Sequence, residues 1–475
     1  MRVLSTGFVV LAISTRCTSE PGSSFDAGAD VHDAIAEIHY VGGDEHLEAP
    51  TPSFAVPSSV SVVQGETTYL PIQNSGVTIT GITNLPSGVT AGAITWQGLP
   101  LTADASAPIA KSTATVTSDL APSQDVTVYV TARDGSLDPT FGAGGVAGTA
   151  GIIHAISVMS DGRIVVVEEY YSSLFVQRLM PDGKVDTTYG QSGSANLGSC
   201  YTRAAAVAPD GEIAVACLPM GGVHVYVLAA DGTLARTVDA VGDASAAAWY
   251  TTMWSGSNVV VMDFLHSDTV LPSNQIVTAN IPQAAPYWGA YPTATSRVVM
   301  GGELNQLPTL TAVVPTQGVY SLDTTFGDGG TVPLAATFTQ GTSVATTSTG
   351  AWIVEGSTPP LTQQTLSDVI RVASDGTPDA TWGAQGHVFI KQMPGPLVSL
   401  PTSNRVIVTG ESNGTLLERL LTDGSIDSSF GYLGTVYTSA TNIPTSLPTA
   451  ACVDASETVL YVGGNGWLLR YRIHA

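Results

Sequence analysis

One phrase constrains this chain more than anything else in it, because it is written five times: "DGSLDPTFGAGG" at 134–145, "DGKVDTTYGQSG" at 182–193, "YSLDTTFGDGG" at 320–330, "DGTPDATWGAQG" at 375–386 and "DGSIDSSFGYLG" at 423–434. A second phrase alternates with it: "SDGRIVVVEEY" at 160–170, "PDGEIAVACL" at 209–218, "SGSNVVVMDF" at 255–264, "TSRVVMGGEL" at 295–304, "STGAWIVEG" at 348–356, "TSNRVIVTGE" at 402–411 and "ASETVLYVGG" at 455–464. A unit that recurs at a fixed period cannot bury its own apolar face, and is stable only when neighbouring copies stack on it.

Each part of the unit has a physical role. Asp-Gly supplies the positive φ angles of a two-residue hairpin turn. The aspartate that follows (Asp138, Asp186, Asp323, Asp379, Asp427) is placed to accept backbone N–H groups and hold the next bend. The aromatic (Phe141, Tyr189, Phe326, Trp382, Phe430) keeps its flat shape while its identity changes, as a wedge between neighbouring units would. The glycines after it let the chain pass close to another backbone. Runs such as "IVVV" and "VVVM" lack polar alternation, so those strands are expected to be covered on both faces. The second phrase recurs roughly 40 to 55 residues apart, in the range of propeller blades of about 40–50 residues with four strands each. Seven copies predict a seven-bladed β-propeller of four-stranded antiparallel blades over 134–475.

The composition agrees with an all-β chain. Of 475 residues 44% are hydrophobic and only 12% charged, with 50 Gly and 28 Pro, which favours short strands and many turns over charged surface helices. The formal net charge of −23 opposes binding to phosphate backbones and anionic lipid, so nucleic acid is excluded as a partner class.

The alternating phrases resemble the bacterial delta-sixty repeat, a propeller-forming unit of exported proteins and lipoproteins. The resemblance covers 134–475 and implies a propeller; it carries no catalytic residues with it. The pattern departs in its third and fourth units: "DGTLARTVD" at 231–239 loses the aromatic and the glycines, and no good copy of the opening phrase precedes "TSRVVMGG". Because the first unit begins in mid-blade, the segment 136–150 is expected to meet "WLLRYRI" at 467–473.

Ahead of the repeats, residues 1–17 have the layout of a secretory signal: a basic residue, a short apolar run and then Cys17. The layout resembles a bacterial lipoprotein signal, with Cys17 as the lipidated residue, although Arg16 stands where that pattern has a small residue. A plain cleaved signal and a misplaced start are the other readings. Residues 18–52 form an acidic tether; His32, His39 and His46 recur every seven residues there, but two helical turns set them about 10 Å apart, too far to share one ion. From 53 to 133 short alternating runs predict a small antiparallel sandwich, and "LPSGVT" at 85–90 resembles bacterial immunoglobulin-like modules. Cys200 and Cys217 are either a disulfide across one hairpin or, with Cys452, small buried residues.

Catalytic spacings of the hydrolase, metalloprotease, nucleotide-binding and haem types are not found, and no metal or cofactor is expected. Asp263, His266 and Asp268 stand close in "MDFLHSD", either a small acid–base set or ordinary loop residues, while Glu168 and Glu169, adjacent on a strand, face opposite ways and read as loop or edge charges. The irregular third and fourth units hold Trp249, Tyr250, Trp254, Tyr287, Trp288 and Tyr291. These form either a stacking surface for a ligand or substitutes for the missing wedge aromatics. The reading is an exported, monomeric, cell-envelope scaffold, periplasmic or outer-membrane-attached and facing outward, touching membrane only through an N-terminal lipid and binding a protein or polysaccharide without catalysis. The alternatives are an enzyme with its site at the mouth of the channel, and a spacer or assembly part.

Overall fold

The computed structural model describes residues 52–474 other than 209, 219–222, 241–250, 256, 263–265, 281–285, 293–296, 305–306, 317–318, 335–339, 351, 358–366, 412–413 and 440–446. Cys17 and the three spaced histidines therefore lie outside the described residues. All regular structure within them is β, with no helix.

The first strands build two facing sheets. One runs in the order Ser59–Val63, Gln124–Thr131, Ala110–Ser118, Ile79–Thr83; the other in the order Thr67–Leu70, Leu99–Ala103, Val89–Ala91. Val62, Leu70, Leu101, Val116, Val126, Val128 and Val130 share the core between them. The expected all-antiparallel arrangement is broken by one parallel strand pair and by a parallel bridge between Gln64 and Ala103. Ser59–Val63 pairs parallel to Gln124–Thr131, because the chain crosses to the other sheet and back before returning to its neighbour, the crossover a parallel pair requires.

After residue 146 the chain lays down antiparallel sheets one after another. The first sheet contains Val146–Val158, Ile164–Tyr170, Ser173–Leu179 and Ser194–Ser199; the second runs from Tyr201–Val207 to Leu234–Ala240, and the third from Thr251–Ser255 to Ile276–Asn280. The fourth runs from Pro286–Pro292 to Val319–Leu322 with Thr331–Pro333 as an extra strand, the fifth from Gln340–Thr346 to His387–Ile390, and the sixth from Met393–Leu400 to Thr435–Ser439. Three closing strands, Ala450–Val453, Val459–Gly463 and Asn465–Arg472, then pair back onto the first sheet.

That closure lies where the repeat phase puts it. Val146, Ala147 and Gly148 pair with Leu469, Leu468 and Trp467, while residues 152–158 of the same strand pair with 164–169. Leu137 also bridges to Tyr471. One long strand thus finishes the sheet of the closing strands and begins its own. The opening strands of successive sheets pack side by side in chain order, and the last, Ala450–Val453, packs against Val146–Val158. They line the central axis.

The apolar second strands are buried as their sequence predicts: Ile164 to Glu168 at five successive positions, Val259 to Met262 at four. Each core cluster past residue 134 spans two neighbouring sheets. Val165, Val167 and Tyr189 of the first pack with Ile213, Val215 and Leu228 of the second, and Phe141, Ala147 and Ile164 pack with Tyr461 and Leu468 across the closure.

Candidate functional site

At 182–193, 375–386 and 423–434 the repeated phrase joins the third strand of a sheet to its outer strand, and its residues do three things at that end. Asp186 accepts hydrogen bonds from the Thr188 N–H at 3.1 Å and hydroxyl at 2.6 Å, and from Arg178 Nε at 2.7 Å. Asp427 does the same with Ser429 and with Arg419 Nε, the latter at 2.8 Å. At Asp186 the Thr188 hydroxyl is the largest influence; burial opposes it, and the Thr188 amide and Arg178 add to it, holding the carboxyl at about 2. At Asp138 and Asp427 burial is the largest influence, but the neighbouring hydroxyls, amides and arginines outweigh it and the shift is still downward.

The arginine then lies over the aromatic, 4.7 Å from the ring centroid at Arg178 on Tyr189 and at Arg419 on Phe430. Its far nitrogen crosses to the next sheet. Arg178 Nη1 donates to the Ala230 carbonyl at 2.6 Å, Arg419 to His474 at 2.8 Å, Arg470 to Pro181 at 2.6 Å and Arg297 to Ser374 at 2.8 Å.

The glycine after the aromatic makes the second link, giving its N–H to the carbonyl of the next Asp-Gly turn. The pairs are Gly142 to Asp182, Gly190 to Asp231, Gly327 to Asp375, Gly383 to Asp423 and Gly431 to Asp134, all between 2.7 and 2.8 Å. The ring itself closes on the glycine of that turn, so a Cβ on Gly183 would stand 2.9 Å from Phe141. The aspartates are turn scaffolding, as their recurrence implies, and the aromatics are wedges between sheets. The arginines are the part the motif reading missed. Their signal was present: an arginine stands eight residues before the aspartate at Arg178 and Arg419, and Arg371 keeps the same offset from Asp379.

The glycine link is repeated on neither side of the third sheet among the described residues, and the junction of that sheet with the fourth is apolar. There Val260 and Met262 pack on Val298, Met300, Val313 and Tyr320, an apolar seam. This is also where the sequence concentrates its aromatics. Trp254 lies on Thr251–Ser255 and Tyr287, Trp288 and Tyr291 on Pro286–Pro292, opening strands that are neighbours around the axis. Trp249 and Tyr250 fall outside the described residues. By position along their strands Tyr287 and Trp288 are near the end remote from the Asp-Gly turns, whereas Trp254 and Tyr291 are nearer those turns. The set is therefore not gathered at one end.

Of the suggested acid–base set, Asp263 lies outside the described residues, and Asp268 is buried and accepts the Thr278 hydroxyl at 2.6 Å. The reading of Glu168 as a loop or edge charge needs correction. It is 1% exposed and accepts the N–H groups of Ala150 and Gly151 at 2.9 and 3.1 Å, which fixes the bend in the long closing strand. Burial raises its pKa against the pull of those amides. Glu169 points the other way and pairs with His154 at 3.4 Å.

The end remote from the Asp-Gly turns carries a different chemistry. Tyr170 and Tyr171 are 46% and 85% exposed, with ring centroids 4.3 Å apart. Tyr171 and Ser172 hold φ of 47° and 61°, an uncommon conformation for a bulky residue. Ser172 accepts the Cys200 N–H at 3.0 Å, and Cys200 is bonded to Cys217. The disulfide reading of this pair is therefore the correct one.

Comparison with known proteins agrees with this geometry. Residues 160–189 and 403–430 match a β-propeller family described as a domain of unknown function (DUF5122). The chain is a β-propeller protein. This propeller is similar to virginiamycin B lyase from Staphylococcus aureus, with TM-score 0.50 and 10% identity over 69% of this chain and 98% of that one. It also matches the Neurospora crassa Pan2 WD40 domain, with TM-score 0.45 and 10% identity over 69% and 90% of the two chains. At such identity the likeness concerns the fold alone. No curated protein matches the propeller's sequence.

Proposed function

We propose that the chain is an exported binding scaffold: a lipoprotein anchored at Cys17, with an immunoglobulin-like module and a seven-bladed propeller of delta-sixty repeats. It is monomeric, sits in the cell envelope, and holds a protein or polysaccharide without catalysis. The unbroken circuit of opening strands and the composite closing sheet support seven blades. The disulfide supports export, since such bonds persist in oxidising compartments.

The observation that carries the reading is Tyr171. The arginines and aromatics of the repeat are engaged in sheet-to-sheet contacts at one end and its aspartates hold the turns there, while the other end holds an exposed tyrosine in left-handed backbone beside a disulfide. Tyr171 and Ser172 form the two-residue turn between Tyr170 and Ser173, a left-handed turn usually filled by Asn, Asp or Gly, and a tyrosine held there at a backbone cost stands out into solvent. The ligand is then taken at the described loops of that end, the Tyr171–Ser172 turn and the link through Cys200.

Titrating the protein with peptidoglycan fragments, while following tryptophan fluorescence, tests this with Tyr171→Ala, Trp249→Ala and Trp288→Ala variants. A saturable change weakened about tenfold in Tyr171→Ala supports the site. A response unaltered in every variant, or none at all with these fragments and with a pull-down of envelope proteins, overturns it.

A further inference from the structure

The first domain carries a second, separately built surface. Between Glu66 and Asp104 no residue is charged, in a chain whose net charge is −23. This stretch supplies the whole three-stranded sheet Thr67–Leu70, Leu99–Ala103, Val89–Ala91. Leu70, Leu99 and Leu101 turn inward to the core. The outward positions form two rows across the strands. Thr90, Thr102 and Thr67 stand in register, with the Thr67 and Thr102 hydroxyls 2.7 Å apart, and Pro100 stands opposite Tyr69, which is 40% exposed.

The hairpin that leaves this face ends in Trp96, 93% exposed. A loose turn would leave such a ring to fold back on the sheet, but this turn is pinned. Thr95 and Gly98 exchange backbone hydrogen bonds at 2.9 and 3.1 Å, and the Thr95 hydroxyl accepts the Gln97 N–H at 3.2 Å. Gly98 holds φ of 122° against the Leu70 backbone, where a side chain has no room. The turn is closed by its own hydrogen bonds, and it displays an indole to water.

We propose that this hairpin and sheet face form a binding site for an uncharged polysaccharide. An indole presents a flat apolar face to the C–H face of a sugar ring. Threonine and tyrosine hydroxyls, which both donate and accept, suit the hydroxyls of the neighbouring sugars. The missing charge decides between occupants. An anionic polymer or lipid surface finds no cation in this stretch, Arg472 at its border being paired with Glu66, and meets an acidic molecule around the site, while a cationic protein is drawn to the acidic surface elsewhere. A neutral chain loses no ion solvation on docking. The site is independent of the propeller-end loops.

Fluorescence and calorimetric titration of the full chain with maltoheptaose, cellohexaose and chitohexaose tests this, with polygalacturonate and anionic phosphatidylglycerol vesicles as the competing occupants. Binding of at least one neutral oligosaccharide, weakened about tenfold in Trp96→Ala and several-fold in Thr102→Val, is the expected result. Both substitutions are at the surface, and an unchanged melting curve certifies the fold. The proposal is overturned if none of the three sugars binds, if binding survives Trp96→Ala, or if only the vesicles or polygalacturonate bind. Because Tyr171→Ala leaves this response intact, failure here is distinguishable from failure of the propeller-end site.

Discussion

At the scale of single residues, the repeat is a set of close approaches that only some atoms allow. Gly424 holds φ of 83°, and a Cβ there would stand 2.7 Å from the Gly383 amide nitrogen and 2.9 Å from the Trp382 ring. Gly144 holds φ of 67° with nothing within 4 Å. Both positions disfavour a side chain through backbone conformation, by about 1–2 kcal/mol, but only the first also forces two sheets apart. Gly424→Ala is therefore expected to lower the urea-unfolding free energy by about 3 kcal/mol or more, and Gly144→Ala by about 1. Equal losses at the two sites would show that the turn angle alone, and not the contact with the neighbouring sheet, selects glycine.

Elements explain what was readable in the sequence and what was not. The Asp-Gly turns, the doubly covered "IVVV" strands and the phase of the closure were legible, because each depends on residues a few positions apart or on the repeat period. Arg178 and Arg419 were not read, because their partners across the sheet boundary, Ala230 and His474, are 52 and 55 residues away and are backbone atoms with no sequence signature. Glu168 was misread for the same reason: its partners are the amides of Ala150 and Gly151. The exposed Trp96 was passed over because a lone aromatic in a turn looks the same whether buried or displayed. The disulfide is an element-scale device as well. It ties the segment after the first sheet to the second strand of the second sheet, 17 residues on. Replacing Cys200 and Cys217 by Ala is expected to cost about 3 kcal/mol by loop entropy, read as a shift in the urea midpoint. No shift would mean that the hairpin pairing already fixes this segment. Cys452 is no substitute partner, since burial, the main cause, and Asp454 push its thiol up to about 12, keeping it protonated and inert.

For the whole molecule, the buried carboxyls set a pH optimum. Asp186 falls from an ordinary 3.8 to about 2, and Asp138, Asp323, Asp379 and Asp427 are lowered too. A depressed folded-state pKa contributes stability that is complete above the unfolded value and is lost as pH falls through the folded one. Glu168, Glu355 and Glu418 shift the other way, chiefly through burial. Their contribution is complete below the unfolded value and is lost as pH rises through the folded one. Self-repulsion at a net charge of −23 also grows with pH. Stability measured by urea midpoint is thus expected to peak at about pH 4 to 5 and to fall toward pH 2 and toward pH 8. Glu355→Gln should flatten the alkaline side. A midpoint that rises steadily to pH 8 would contradict this account.

The long strand that belongs to two sheets has a kinetic consequence. His474 donates its N–H to Asp134, 340 residues earlier, so the contacts that complete the circle have a very long loop to close. Residues 146–148 emerge with one edge unpaired and keep it until Trp467, Leu468 and Leu469 arrive. Such late, distant pairing makes for slow folding. A chain that emerges from its first residue onward can stack its sheets in order, but stays an open arc with both edges able to bind a foreign strand. Trapping that arc with a short peptide copied from 465–472 is the most direct way to halt assembly one step before completion.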